Sequence, residues 1–441
     1  MLSLRYLRSA VIVSVSFVIL AASACSSGSS GGSSGGTLQV WVRGAGDAQK
    51  AYQVLLDAFT KKTGIKTQLF MTLTDFETKV NAAATAHKLP DVVVDDAAQT
   101  GAFRSMGIVR EVDRNSITGG NQIADATWNV AKDLSGKYYA VPFSVQANLL
   151  FVRSDWLQKV HQPAPKTWDD VATVAKAFTA QDPNGNGRAD TYGLDVPGST
   201  TRGYISWYWS TFLWQSGGDY FKPAGDGKYA STINSPEAVQ AATYFERFFC
   251  TDHSVQPSAV NDVTADTNKV FQSGTAGLYY TGPYAFATAD ATTVKGHYTV
   301  VAPPAGPKNG QTLAEATNIF LMAGSKRTDG AKQLAEYLIT PEAQQLGMTG
   351  VASSTIVRLP VNQTINAATA HKGDERWALA QQLYQSSGHF EADYLPNWTA
   401  FRQATSDALN KMVASCGDPK STLDGLNGKF QDLLKQQGVS G

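Results

Sequence analysis

The sequence predicts an α/β protein built on a largely parallel sheet, and three observations lead to this fold class. Short apolar segments such as residues 38–42 and 92–94 have the length and composition of buried strands. Between them lie segments whose apolar residues recur at helical spacing. The chain after residue 36 has about 400 residues, which is too many for a single hydrophobic core and suits two or three domains.

The first half of the chain alternates between predicted strands and predicted helices. Apolar residues at helical spacing over residues 52–59 predict the first helix. Thr74 and Glu77 have the spacing of a capping box, which predicts the start of the second. This alternation is typical of βαβ units. Predicted strands cover residues 38–42, 65–70, 92–94, 138–143 and 148–152.

Three later helices have recognisable start signals. Thr167 and Asp170 stand at the start of a helix predicted over residues 167–179. Pro236 and Pro341 each follow a Ser or Thr and precede a Glu, and proline is tolerated at the first helical position because its missing N–H is not needed there. From residue 375 onward the chain is predicted to be mainly helical.

Residues 1–24 have the features of a bacterial export signal. Arg5 and Arg8 precede an apolar run over residues 10–22 that is shorter than a membrane-spanning helix. Small residues then lead to Cys25, as in a lipoprotein signal, except that Ala22 stands where leucine is usual. We therefore expect Cys25 to carry a lipid anchor on the extracellular face of the cell membrane, with ordinary secretion as the alternative.

The composition after the signal favours an exported globular protein over a nucleic-acid-binding one. Residues 26–36 are only Ser and Gly, which predicts a flexible linker. The chain has 37 basic and 37 acidic residues, so losing Arg5 and Arg8 leaves a net charge near −2. Such a chain lacks the positive surface that nucleic acid requires. We expect a monomer.

Two further features suggest structural elements outside a binding site. Cys250 and Cys416 are the cysteines that remain after the anchor, and in an exported chain we expect them to form a disulfide, with two buried thiols as the alternative.

Oxygen-bearing side chains alternate around a glycine as in a calcium loop, although Gly193 stands at the twelfth position, where a carboxylate is needed. A structural calcium and a calcium-free turn are both open. The loop residues are Asp182, Asn184, Asn186 and Asp190.

Signals for an enzyme are absent from the sequence. The six histidines include no H-E-x-x-H pattern and no pair four residues apart, which argues against a zinc enzyme. Gly44 and Gly46 follow a strand, but Gln49 stands at the third glycine position of a dinucleotide motif. We expect no enzymatic activity, although a glycosidase needs only two carboxylates. We also expect no cofactor, with a structural calcium in the 182–190 loop left open.

Several segments, in order and at the right spacing, resemble the large class of extracellular solute-binding proteins that contains maltose-binding protein and serves ABC importers. Each segment is a weak signal alone, and their combination over residues 38–345 is specific. The segments are LQVWV (38–42), FTKKTGI (59–65), LPDVVV (89–94), SMGIV (105–109), YAVPF (139–143), LFVRSDW (150–156), TWD (167–169), FQSGTAGL (271–278), GPY (282–284) and LITPEAQ (338–344).

The resemblance implies a periplasmic-binding-protein-like (type II) fold with two α/β lobes and three hinge crossings. It places residues 37–145 and 286–348 in the first lobe, and residues 146–285 and 349–441 in the second. It also implies a ligand cleft between the lobes, closure on binding, and delivery of the ligand to the membrane permease of an ABC importer.

The resemblance also implies a set of ligand-binding candidates, and we expect at least half of them to line the cleft. Carboxylates, amides and arginines suit sugar hydroxyls, and flat aromatic rings suit sugar faces. Trp207 and Trp209 would share one face if alternate residues point the same way, although part of this aromatic cluster can serve the core. The candidates are Arg43, Asp47, Asp95, Asp96, Gln99, Gln146, Trp207, Trp209, Tyr284, Asn397 and Trp398.

These expectations lead to a carbohydrate as the ligand. The candidate set is more acidic than basic, which favours a neutral mono- or oligosaccharide over a phosphate-bearing solute. A polyol, a glycerophosphodiester or a peptide bound by the same fold is the alternative, and a secreted carbohydrate-active enzyme is the alternative from another class.

Overall fold

The strands of the chain form two sheets and one hairpin. The computed structural model describes residues 36–441 apart from Ala45 and the side chain of Asp47, and Gly36–Gly441 forms a compact unit. The predicted export signal, Cys25 and the Ser/Gly segment before Gly36 lie outside the described residues. In chain order the described strands are β1 (Leu38–Arg43), β2 (Thr67–Thr72), β3 (Val92–Asp96), β4 (Val141–Ala147), β5 (Leu149–Arg153), β6 (Tyr192–Asp195), β7 (Phe221–Gly225), β8 (Lys228–Ser231), β9 (Ala276–Thr281), β10 (Tyr298–Val301), β11 (Thr312–Leu321), β12 (Leu359–Pro360) and β13 (Gly388–His389).

Helices connect these strands and cover both sheets. Within the described residues, no helix combines the length and the apolar run needed to cross a membrane. The helices are α1 (Gly46–Thr63), α2 (Phe76–Thr85), α3 (Thr100–Ser105), α4 (Asp125–Trp128), α5 (Ser154–Lys159), α6 (Trp168–Ala180), α7 (Tyr204–Gln215), α8 (Pro236–Cys250), α9 (Thr264–Gln272), α10 (Ala285–Ala289), α11 (Thr328–Leu338), α12 (Pro341–Thr349), α13 (Ala367–Ala370), α14 (Glu375–Ser387), α15 (Trp398–Ser415) and α16 (Pro419–Gln436).

The first sheet has the strand order β12-β4-β11-β3-β1-β2, with β13 beside β11. β1 is parallel to both β2 and β3, as the predicted βαβ units require, since each crossover helix returns the chain to the same end of the sheet. β11 instead runs antiparallel to β3 and β4. The sheet is therefore mixed. The carboxyl ends of its parallel strands β1 and β3 carry residues that were predicted to bind the ligand.

The second sheet has the order β10-β5-β9-β6. β5 is antiparallel to both of its neighbours, and β6 is parallel to β9. Two large clusters of buried apolar side chains accompany the sheets, one containing Val40 and Phe143 and the other containing Val152 and Trp209. Each sheet with its helices forms one lobe, called the first and the second lobe below.

The chain passes between the sheets three times. It leaves the first sheet at Asn148, returns between Val301 and Thr312, and leaves again after His389. The expected lobe boundaries at 285/286 and 348/349 fall earlier than the second and third crossings. β10 stays with the second sheet because Tyr298 stacks on Phe151 of β5 with a ring distance of 5.5 Å.

The segment after α12 stays with the first lobe for a similar reason. β12 pairs with β4 of the first sheet. Trp377 of α14 is buried in the first apolar cluster, and α14 packs beside β4 and β11 of the first sheet. Residues 359–387 therefore complete the first lobe, and the second lobe resumes with α15 and α16.

Three predicted helix starts are confirmed and one is wrong. Thr167 and Asp170 form the capping box of α6, and Ser235 and Thr340 cap α8 and α12 just before their prolines. The capping box predicted from Thr74 does not form, because α2 begins one residue later, with Asp75 as an N-cap whose side chain makes no capping hydrogen bond.

Cys250 and Cys416 form the expected disulfide, with their Cα atoms 5.6 Å apart. Cys250 is the last residue of α8 and Cys416 follows α15. The bond therefore ties two helices of the second lobe that are 166 residues apart in the chain.

The predicted calcium loop is an exposed turn whose polar side chains bond to one another. Asp182 accepts backbone N–H groups from Gly185 at 3.1 Å and Gly187 at 2.8 Å. Asn184 and Asn186 each donate an amide N–H to Asp190, at 3.0 and 3.1 Å. Such bonds from Asp and Asn side chains are typical of turns rich in these residues. Calcium binding stays a prediction, which thermal unfolding with and without calcium tests.

Candidate ligand-binding cleft

A cavity of about 300 Å³ lies between the two lobes. The first lobe lines it with the ends of β1 and β3, with β4 and β11, and with the segment 353–358. The second lobe contributes the segment before α7, α7 itself, the first turn of α9 and one side chain of α15. The carboxyl ends of parallel strands are where α/β sheets bind their ligands, and the volume is at the lower end of the range for small-molecule sites.

One wall of the cavity is a network of ion pairs that joins the lobes. Arg43, the last residue of β1, lies 3.4 Å from Asp96 and 3.9 Å from Asp95, measured between nitrogen and carboxylate oxygen. Arg202 of the second lobe donates to Asp96 at 2.9 Å and also pairs with Glu77. Asp96 is therefore held between two guanidinium groups, one from each lobe.

Glu77 explains why the predicted capping box does not form. Its carboxylate pairs with Arg202 and lies 3.7 Å from Nε of Arg43. Because these two charges hold the side chain beside the cleft, it is not available to the backbone at the start of α2. The residue serves the network between the lobes instead.

Asp95 and Asp96 are neighbours in sequence but respond oppositely to this network. Burial raises the pKa of Asp95, and the charges of Asp96 and Glu77 raise it further. Burial acts in the same direction on Asp96, but Arg43 and Arg202 outweigh it and lower its pKa to about 2. Asp96 is thus a firm anion at neutral pH, while Asp95 keeps its proton to a higher pH than an exposed aspartate.

The floor of the cavity holds a hydrogen bond between the two central strands. Gln146 of β4 stands opposite Glu315 of β11 and donates its amide to that carboxylate at 2.5 Å. The amide oxygen of Gln146 has no hydrogen-bond partner among the described residues. Burial raises the pKa of Glu315, and Asp96 adds to the shift.

Two further arginines line the cavity. Arg402 of α15 is 8% exposed and pairs with the buried carboxylate of Glu391. Burial would lower the pKa of Arg402, but Glu391 and Asp393 overcome that effect and raise it. Arg358, just before β12, places its guanidinium 5.6 Å from the ring centre of Tyr284.

The aromatic part of the cavity comes from Trp207 and Tyr284. Trp207 lies in the first turn of α7, and its indole N–H has no hydrogen-bond partner among the described residues. Tyr284 follows β9, and its hydroxyl accepts a hydrogen bond from Thr281 at 2.7 Å. Burial raises the pKa of Tyr284 to about 12, so the phenol stays neutral. The cavity therefore offers apolar rings beside polar groups that are free to bond.

Six of the eleven predicted ligand-binding residues line the cavity, and four lie elsewhere. Gln99 is buried beside β3, Asn397 caps α15 by accepting the N–H of Ala400, and Trp209 and Trp398 are fully buried in the second lobe. Asp47 lies in the first turn of α1, and its side chain is outside the described part. The residues that line the cavity are Arg43, Asp95, Asp96, Gln146, Trp207 and Tyr284.

The expected pairing of Trp207 with Trp209 on one face is wrong, because this segment is a helix. Successive residues of an α-helix turn by about 100°, so residues two apart point to nearly opposite sides. Trp207 therefore meets the cavity, while Trp209 packs against Tyr220 in the core.

The sequence interpretation missed Arg202, Glu315, Arg358 and Arg402. Arg402 lies on a helix that the resemblance matched only in helical character. The sequence signal near Arg202 was Gly203, because glycine is favoured where the backbone is left-handed. Arg202 and Gly203 both have left-handed backbone angles, with φ of 55° and 86°. Including these residues removes the acidic excess that favoured a neutral ligand, since four arginines and three carboxylates line the cavity among the side chains that the structure describes.

Among the described residues, one group of three His, Cys, Asp or Glu side chains is close enough together to hold a metal ion, and it consists of Glu246, Cys250 and Cys416. Both sulfurs are bonded to each other, so neither is a thiolate that a metal could bind. The cavity itself combines hydrogen-bond donors, acceptors and aromatic faces, which suits the capture of a small polar molecule.

Known proteins with the same architecture are two-lobed solute-binding proteins. A solute-binding protein of an ABC transporter from Thermotoga lettingae, bound to α-D-tagatose, matches with a TM-score of 0.79 and 18% sequence identity, covering 90% of this chain and 99% of that one. The maltose-bound MalE3 of T. maritima matches with the same TM-score, identity and coverage. At this identity the likeness establishes the fold.

Relatives in sequence extend the match. The diacetylchitobiose-binding protein DasA of Streptomyces coelicolor is 24% identical over 412 residues, 91% of this chain and 90% of its own. A probable ABC transporter-binding protein of Deinococcus radiodurans is 30% identical over 302 residues, 66% of this chain and 69% of its own. The family model of the bacterial extracellular solute-binding proteins matches residues 45–345, more than half of the chain. The chain therefore belongs to the bacterial extracellular solute-binding proteins.

Proposed function

We propose that this chain is the substrate-binding lipoprotein of an ABC importer and that it captures a carbohydrate between its lobes for delivery to the permease. The observation that carries the proposal is the composition of the cleft. Trp207 and Tyr284 offer aromatic faces for the C–H patches of a sugar ring. The unpartnered indole N–H of Trp207 and amide oxygen of Gln146 suit hydroxyl groups, which both donate and accept.

Relatives support a carbohydrate as the ligand. The names of similar proteins specify diacetylchitobiose, α-D-tagatose and maltose. These ligands share several hydroxyl groups around a compact skeleton, which the mixed polar and aromatic lining of this cavity fits. A polyol, a phosphodiester or a peptide would use the same cleft with other partners, and these ligands are alternative outcomes of the binding experiment.

The proposal includes an anchor, a location and the absence of catalysis. Cys25 carries the lipid that holds the protein on the extracellular face of the cell membrane. The Ser/Gly segment is a flexible linker between this anchor and the two lobes. The protein acts as a monomer and binds its ligand without converting it. A shift of the mature protein from the membrane fraction to the medium in a Cys25→Ala variant, seen by immunoblotting, tests the anchor.

Thermal unfolding of residues 36–441 with a panel of saccharides tests the ligand class. A ligand at about 1,000 times its dissociation constant stabilises the native state by about 4 kcal/mol, which raises the melting temperature by several degrees. Stabilisation by a saccharide that chromatography then recovers unchanged supports the proposal. Recovery of a cleaved saccharide would establish an enzyme, and stabilisation only by polyols, phosphodiesters or peptides would replace the carbohydrate.

A further inference from the structure

Arg358 differs from the other arginines of the cavity because it has no carboxylate partner. Arg43 and Arg202 pair with carboxylates of the first lobe, and Arg402 pairs with Glu391. Arg358 forms no ion pair with any described carboxylate, and its contacts are an aromatic ring and a distant hydroxyl. A guanidinium is charged at every physiological pH, so this cavity contains one positive charge that the described residues do not neutralise directly.

The side chain of Arg358 is held in place by neutral groups. Its backbone N–H donates to the hydroxyl of Ser144 at 2.9 Å, which fixes the start of β12 beside the cavity. The guanidinium lies over the ring of Tyr284, and one of its nitrogens is 3.5 Å from the hydroxyl of Thr317. Because these contacts use at most one of five N–H donors, a pair of parallel donors remains for a planar group with two oxygens.

The surroundings of Arg358 do not supply that planar group. Glu315 lies on the same strand as Thr317, two residues away and on the same face. Its carboxylate instead accepts the amide of Gln146 at 2.5 Å. Burial raises the pKa of Glu315, while the charge of Arg358 acts in the opposite direction without forming an ion pair with it. The first turn of α9, with Thr264, also lines the cavity, and the partial positive charge of a helix N-terminus favours an anion.

We infer that the ligand is an acidic carbohydrate, a uronic acid or a short oligosaccharide that contains one, whose carboxylate pairs with Arg358. This inference rests on the proposed function and narrows its ligand class. A carboxylate has the two-oxygen geometry that a guanidinium binds with parallel hydrogen bonds. The hydroxyls and the ring face of the sugar remain for Gln146 and Trp207. A neutral sugar would leave the guanidinium of Arg358 in the closed cleft without a directly paired carboxylate, which makes closure less favourable than with an acidic sugar.

Isothermal titration of residues 36–441 with matched sugars tests the inference. D-galacturonate and D-glucuronate are compared with D-galactose, D-glucose and the methyl esters of both uronic acids. The disaccharides of each uronic acid and hexose extend the panel, and glucose 6-phosphate represents a phosphate-bearing sugar. We expect a uronate to bind at least about tenfold more tightly than its neutral parent and its ester, since a charge-assisted pair is lost in both.

Variants of Arg358 connect this preference to the residue. Arg358→Gln should remove the preference, and Arg358→Lys should retain part of it because the charge remains without the planar fork. Arg188→Gln is the matched control, since Arg188 lies in the exposed 182–190 loop with a side chain that is 75% exposed. Melting temperatures of all variants identify any that are misfolded, and in that event the wild-type comparison of acid, ester and hexose decides alone.

Each outcome separates the inference from the proposed function. Tighter binding of a neutral hexose or of glucose 6-phosphate than of the uronates would overturn the acidic ligand and leave carbohydrate binding intact. An acid preference that survives in a folded Arg358→Gln variant would overturn the role of this residue. Failure of every sugar in the panel to bind would overturn both.

Discussion

Arg202 is predicted to control how tightly the cleft closes on its ligand. It belongs to the second lobe, and its guanidinium pairs with Glu77 and Asp96 of the first. Its backbone has a φ of 55°, a left-handed conformation that costs free energy for any residue with a side chain. Because these contacts exist only when the lobes are close together, we expect Arg202→Gln to shift the protein toward an open form and to weaken ligand binding.

The size of this effect follows from the exposure of the three side chains. Arg202, Glu77 and Asp96 are 14%, 23% and 21% exposed. Hydrogen bonds to charged groups contribute about 1.5–3 kcal/mol when buried, and partial exposure to solvent reduces that figure. A net contribution of about 1–2 kcal/mol to the closed form corresponds to a dissociation constant about 5–30 times higher in the variant, since the ligand must then supply the free energy of closure.

Titration calorimetry with the saccharide that stabilises the wild type measures this affinity, and small-angle X-ray scattering of the ligand-free protein measures closure. Arg188→Gln again provides the control, because Arg188 pairs only with Asp190 in an exposed loop. Wild-type affinity in a folded Arg202→Gln variant would refute the reasoning. Weaker binding with an unchanged radius of gyration would show that Arg202 contacts the ligand directly instead of stabilising closure.

Three other predictions concern the stability of the fold and the different roles of buried residues in stability and in ligand binding. Replacing Cys250 and Cys416 by alanine opens a loop of 166 residues, and the chain-entropy relation gives a loss of about 5 kcal/mol; an unchanged midpoint of urea unfolding would contradict it. Asp195 is fully buried with both carboxylate oxygens unpartnered among the described residues, and burial raises its pKa well above 3.8. As the pH rises from about 4, Asp195 ionises in the unfolded chain while it keeps its proton in the folded chain, so the free energy of unfolding falls. Asp195→Asn should therefore make urea unfolding less pH-dependent in that range. Trp209→Ala should cost about 3–5 kcal/mol of stability with little change in ligand affinity, whereas Trp207→Ala should weaken binding, and calorimetry with the same saccharide compares them.

The elements that could be predicted from sequence are those whose signals are local. The alternation from β1 to β3 follows from short apolar runs separated by helical spacing, and the starts of α6, α8 and α12 follow from capping residues. The family resemblance supplied Arg43, Asp95 and Asp96, and the structure places them at the carboxyl ends of β1 and β3 in parallel units. Residues at the carboxyl ends of parallel strands lie close together at one edge of the sheet, so they form part of the site whenever the predicted fold is correct.

The remaining cleft residues depend on long-range packing that no local pattern encodes. Arg202, Arg358 and Arg402 come from three segments that are 156 and 44 residues apart in the chain, and only the docking of the lobes brings them to one cavity. Trp207 and Trp209 show the converse problem, because their roles depend on whether the segment is a strand or a helix. The polar and aromatic composition of this segment indicated a ligand site, and the geometry of the helix determines that Trp207, and not Trp209, faces the cavity.

The charge of the cleft shows why a count of acidic and basic residues is a weak guide to the charge of the ligand. Asp95 and Asp96 contribute equally to a count, but Asp96 is neutralised by one arginine from each lobe and Asp95 is buried where ionisation is disfavoured. Glu315 is disfavoured in the same way. The carboxylates of the cavity therefore differ in the negative charge that they present to a ligand. Arg358 attracts Asp96 and Glu315 without forming an ion pair with either, so its guanidinium remains open to the carboxylate of the proposed ligand.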